Sequence, residues 1–139
     1  MMVSIEKIST KFIQLEEYFA ILAKISETPR DVFVKDKILV GSAKYYLQIA
    51  IETCLDLANH IIAAERFRAP KDYADAFTVL EENNILEKTI GQKLRQMAKF
   101  RNRLVHLYGE IDDVFVYEFI TSDIEDIKRF RKIIIQKYV

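Results

Sequence analysis

The stretch LEKTIGQKLRQMAKFRNRLVHLY, residues 86–108, decides the fold. Placed at about 100° per residue, Leu94, Met97, Phe100, Leu104, Val105, Leu107 and Tyr108 fall on one broad apolar arc, the signature of a helix packed on a core. Arg95, Lys99, Asn102, Arg103 and His106 gather on the opposite arc, and Gly109 stands where it can end the helix. Working outward, the same three- and four-residue recurrence appears on both sides. Ile5, Ile8, Phe12, Leu15, Tyr18, Phe19 and Leu22 mark a helix from about 3 to 26, closed by Thr28, Pro29 and Asp31. A long helical region is expected from about 32 to 68, bent near Gly41 and Ser42 and closed by Ala69 and Pro70. Residues 71–82 make a short helix and Asn83 and Asn84 a turn. Asp112 or Asp113 caps a last helix whose inward stripe is Phe115, Tyr117, Ile120, Ile124, Ile127, Phe130, Ile133 and Ile134. The expectation is an all-α antiparallel bundle of about five helices.

Composition agrees. Half of the 139 residues are apolar and 30% charged, while three Gly and two Pro leave little material for hairpins. Neither repeats nor linker composition interrupts the chain, so residues 1–139 are expected to form a single helical domain. Lys plus Arg equals Asp plus Glu at 21 each, so any site for an anion must be local. The single cysteine, Cys54, lies in an apolar stretch and reads as a small buried hydrophobe. No apolar run reaches the roughly 18 residues that span a bilayer, and a cytoplasmic protein with no membrane attachment is expected.

Two groups of polar residues on the 86–108 helix invite chemistry. Arg101 falls in the middle of the apolar arc, where an always-charged guanidinium is costly unless a carboxylate, a phosphate or a polar network satisfies it. A structural ion pair with Glu52 or Asp56, or snorkelling to the surface, is the plain alternative. The opposite stripe places three cations, Arg95, Lys99 and Arg103, beside Asn102 and His106. It suits an RNA backbone, with His106 titrating near neutrality; an ordinary solvated face is the alternative. Arg101 and His106 differ by about 140° and cannot face one target on a straight helix. If two such helices cross about a two-fold axis, Arg101 of one copy meets His106 of the other, so a homodimer with a composite cleft is expected, the apolar arc supplying the contact.

Glu52, Asp56 and His60 recur every four residues, but two carboxylates and one imidazole are too few for a closed metal site, and no metal is expected. The acid pairs Glu81-Glu82 and Asp112-Asp113 stand at helix ends, where capping and dipole effects explain them. Gly-rich phosphate loops, nucleophile elbows and zinc spacings are missing from the sequence.

The run Arg101-Asn102-Arg103-Leu104-Val105-His106-Leu107-Tyr108 resembles the Arg, four residues, His, one residue, Tyr signature of HEPN domains of the HepT type, and the likeness extends over most of the chain. The resemblance implies a metal-independent endoribonuclease toxin without cofactor. It implies as partner a minimal nucleotidyltransferase antitoxin of the MntA type, which silences such toxins by transferring AMP to the motif tyrosine, here Tyr108. In that reading His106 is general base or acid, Arg101 stabilises charge on the scissile phosphate, and Asn102 orients His106 or the phosphate. Arg95, Lys99 and Arg103 hold RNA phosphates. The competing reading is a non-catalytic helical subunit that binds nucleotide or substrate for a nucleotidyltransferase, and the third is a purely structural dimerisation bundle, which leaves Arg101 unexplained.

Overall fold

The computed structural model describes residues 2–106 and 112–139, with His106 described by its backbone alone. Its elements are α1 (Ile5–Ser26), α2 (Arg30–Phe33), α3 (Lys37–Ala64), α4 (Tyr73–Glu82), α5 (Lys88–His106), α6 (Asp113–Glu118), a π-helical turn (Phe119–Asp123) and α7 (Ile124–Tyr138). No strand occurs among the described residues. None of their helices is long and apolar enough to cross a membrane.

Short polar side chains start the helices by accepting orphan backbone N–H groups. Ser4 Oγ accepts from Lys7 N, and Asp36 Oδ1 from Ile38 N and Leu39 N. Asp72 does the same for Asp75 N, and Asp112, rather than Asp113, for Val114 N. α3 is the centre of the bundle. It packs against α1, α4, α5, α6 and α7, and it buries residues on most of its circumference, from Val40 and Leu47 through Ile51 and Leu55 to Ile61 and Ile62. One continuous core joins it to Leu15 of α1, Phe33 of α2, Phe77 of α4, Leu94 of α5 and Phe130 of α7.

Three expectations are corrected. The long 32–68 helix is two helices: α2 ends at Phe33, and Asp36, extended at φ −100° and ψ 98°, restarts the chain as a cap for α3. Gly41, expected to bend it, lies inside α3, which ends at Ala64, with Arg66 at φ 60° turning the chain away. Secondly, the last helix is interrupted by the π-helical turn, where Thr121 Oγ1 hydrogen-bonds back to the carbonyls of Tyr117 and Glu118. The wider turn shifts the phase of the apolar stripe. Val116 and Phe119 are buried there, and Phe115 is left 53% exposed. Thirdly, Glu81 and Glu82 do not cap. Glu82 pairs with Arg68 and Glu81 with Arg95.

Candidate active site on the motif helix

The apolar arc of α5 is buried within the protomer: Leu94 and Ala98 are fully covered, and Met97 and Leu104 nearly so. A second copy must therefore meet atoms other than these. Arg101 sits among them with its side chain only 14% exposed, and its charge is met by Glu52 of α3, one of the two carboxylates singled out in the sequence. Nε and Nη2 of Arg101 donate to Glu52 Oε1 at 3.2 and 2.8 Å, and Nη1 donates to Asn102 Oδ1 at 3.2 Å. Gln48 Nε2, one turn before Glu52, donates to the same carboxylate oxygen at 3.1 Å. The guanidinium also lies over the Tyr73 ring at 4.8 Å from its centre, an arrangement that favours a planar, weakly hydrated cation. A guanidinium has five N–H donors. Three of them are engaged among the described residues.

Gln48 and Tyr73 were not singled out in the sequence. The four-residue spacing of Gln48 and Glu52 on α3 was a signal for the first; nothing local marks Tyr73, which reaches Arg101 from the first residue of α4.

The basic stripe is divided by its neighbours. Arg95 is half-buried and pairs with Glu81 of α4 at 3.3 Å. Lys99 and Arg103 are exposed and border a different pocket, against the π-helical turn. The three members of the four-residue ladder on α3 go to three separate partners. Glu52 meets Arg101, Asp56 meets Lys11 at 3.3 Å, and His60 Nε2 accepts the Ser4 N–H at 3.0 Å. Burial first, and Lys7 second, lower the His60 pKa from its ordinary value. Among the described residues no group of three or more His, Cys, Asp or Glu is placed to hold a metal ion. Cys54 is fully buried, and burial pushes its thiol far up, which makes it inert. Tyr108 and Gly109 lie outside the described residues.

Fold and motif together define a HEPN-type helical bundle. It superposes on the tri-AMPylated HEPN toxin of Shewanella oneidensis, solved in complex with an MNT antitoxin, with a TM-score of 0.90 and 26% identity, over 96% of this chain and 99% of that one. It also superposes on a chain of a toxin-antitoxin crystal structure with AMP-PNP, with a TM-score of 0.88 and 26% identity, over 94% of this chain and 98% of that one. In sequence it is 32% identical to the mRNA nuclease HepT of Shewanella oneidensis over 102 residues, 73% of this chain and 77% of that protein. The ribonuclease HepT-like family model matches residues 15–134. The chain belongs to the HepT-like ribonuclease family, and cleavage of RNA is that family's chemistry.

Proposed function

We propose that this chain is a metal-independent endoribonuclease toxin whose site is Arg101, Asn102 and His106. The observation that carries the reading is the state of Arg101: a guanidinium only 14% exposed within the motif, its plane fixed by Glu52, Asn102 and Tyr73. Such a group stabilises negative charge on a phosphate at no reorganisation cost. His106 removes the proton of the ribose 2′-hydroxyl, whose oxygen attacks the adjacent phosphorus, or returns a proton to the leaving 5′-oxygen. Asn102 positions Arg101 through its side-chain carbonyl. Lys99 and Arg103 hold flanking phosphates, and Arg95 joins them only by giving up Glu81.

Residues 1–139 act as one domain, a reading supported by the single core cluster running from α1 to α7. Arg101 and His106 differ by about 140° around α5, so the active form is a homodimer in which α5 of each copy contributes to a shared cleft. The partner is an MntA-type minimal nucleotidyltransferase antitoxin, which transfers AMP to Tyr108. The matched toxin-antitoxin structures, one of them tri-AMPylated, support this pairing. The setting is the cytoplasm.

The test is cleavage of a mixed RNA pool in excess chelator by unmodified protein, beside His106→Ala and Arg101→Ala proteins of unchanged helicity and mass in solution. Loss of cleavage in both variants is expected. An inactive wild type would instead favour a non-catalytic subunit that binds nucleotide for its partner. Tyr108→Phe is expected to keep cleavage and to lose the AMP-dependent silencing.

A further inference from the structure

A pocket of about 360 Å³ lies between the outward flank of α5 and the π-helical turn. Phe100 and Phe119 form part of its wall, stacked in near-parallel planes 7° apart with centroids 5.0 Å from each other. Phe100 is half-buried, so part of its surface remains open, and Phe119 is buried. Lys99 and Arg103 border the pocket from α5, and Asp123 borders it from the end of the π-helical turn. Asp126 is there too, but Lys93 stands 3.9 Å from it. Asp123 makes no side-chain hydrogen bond as the cap of α7 and no ion pair among the described residues. Partial desolvation first and Asp126 second hold its carboxyl above the ordinary range, against the opposing pull of Lys93.

An aromatic wall, exposed cations and a carboxylate with no ion pair among the described residues are complementary to a nucleotide. Single-stranded RNA is recognised by stacking unpaired bases on aromatic rings and reading their hydrogen-bonding edges, with phosphates on basic side chains. The carboxylate selects among bases. Ionised, it only accepts, and it accepts best from two parallel donors. Guanine alone among the four bases offers two adjacent donors on one edge, N1–H and N2–H. Adenine and cytosine each offer one amino group beside an acceptor, and uracil one imino group between acceptors.

We propose that this pocket is a base-specific subsite for a guanine nucleotide of the RNA. The base stacks on Phe100, Asp123 reads its N1–H and N2–H edge, and Lys99 and Arg103 take its phosphate. Arg103 and His106 are three residues apart on one helix, hence neighbours along it, so the subsite holds a nucleotide next to the scissile bond. The ligand class rests on the RNA-cleaving reading; the base preference rests on the pocket alone.

Met97 lines the pocket and is one of only three methionines, so its labelled methyl group is an internal probe of ring-current shifts from a stacked base. Wild-type protein is titrated with GMP, AMP, CMP, UMP and inorganic phosphate, and the Met97 methyl resonance is followed. GMP is expected to shift it saturably and to bind about tenfold more tightly than AMP, the scale of one bidentate base contact. D123N, at an exposed position, presents a donor beside an acceptor and can no longer accept from both N1–H and N2–H, so the advantage of GMP over AMP should be lost. Lys99→Gln should weaken all four nucleotides alike.

Equal shifts from phosphate alone, no preference for GMP, or an undiminished preference in D123N would each overturn the subsite. Cleavage of the RNA pool without a guanine-specific shift removes the subsite and keeps the nuclease reading. A guanine-specific shift in a protein that cleaves nothing keeps the subsite and removes the cleavage reading.

Discussion

Replacing Glu52 by Ala removes the only carboxylate against Arg101 among the described residues, and the geometry sets the size of the effect. Exposed ion pairs contribute up to about 1 kcal/mol, while removing one member of a fully buried pair costs about 3–5 kcal/mol because the other is left uncompensated. Arg101 is 14% exposed and Glu52 33%, between those limits and nearer the second for the arginine. A loss of about 2 kcal/mol is expected. Arg101→Ala should cost less, about 1 kcal/mol, because the carboxylate it leaves behind is the more exposed member and keeps Gln48 as a donor. The two changes share one interaction, so the double variant should be more stable than the sum of the single losses predicts, by about 1 kcal/mol. Urea unfolding followed by far-UV circular dichroism reads all three. With a slope near 2 kcal/mol per M, Glu52→Ala should lower the midpoint by about 1 M without changing the slope. The same variant should lose RNA cleavage as Arg101→Ala does, since the guanidinium is no longer aimed. Strict additivity in the double variant, or a Glu52→Ala protein within about 0.3 kcal/mol of wild type, would refute the account of Arg101 as a held, half-buried cation.

Further outcomes follow from the same physics. A Cβ at Gly41 meets nothing within 4 Å inside α3, so Gly41→Ala should stabilise by about 0.5–1 kcal/mol and raise Tm by a few degrees in calorimetry. His60 is held neutral as the acceptor of the Ser4 N–H and its folded pKa is lowered, so its contribution is complete above the unfolded value near 6.5. That contribution is lost as pH falls through 6.5 towards the folded pKa. Tm of the wild type should therefore fall more steeply than that of His60→Gln between pH 7.5 and 5.5. Phe130 is fully buried, edge-to-face with Phe77 at 5.7 Å, and Phe130→Ala should cost about 3–5 kcal/mol in urea unfolding.

The sequence by itself determined most of what is local or one-dimensional. Helical periodicity alone located α1 and α5, because an apolar stripe repeating every three to four residues is the signature of a helix packed on a core. The sequence narrowed the cap of the last helix to Asp112 or Asp113, and the structure chose Asp112. The Arg101–His106–Tyr108 spacing was visible for the same reason: positions on one helix are fixed by counting. Tertiary structure decided everything that depends on what stands opposite a residue. Arg95, Lys99 and Arg103 lie on one arc by count, yet Glu81 of α4 draws Arg95 away while the other two face the π-helical turn. That turn shifted the stripe from Phe115 to Val116 and Phe119, since one extra residue per turn changes phase without changing composition. The break before α3 depended on Asp36 capping the next helix rather than continuing the previous one, a local competition that hydrophobic pattern does not register. Arg101 itself was legible as an anomaly, but whether Glu52 or Asp56 met it depended on how α3 is turned towards α5, a single rotation that counting along either helix cannot supply.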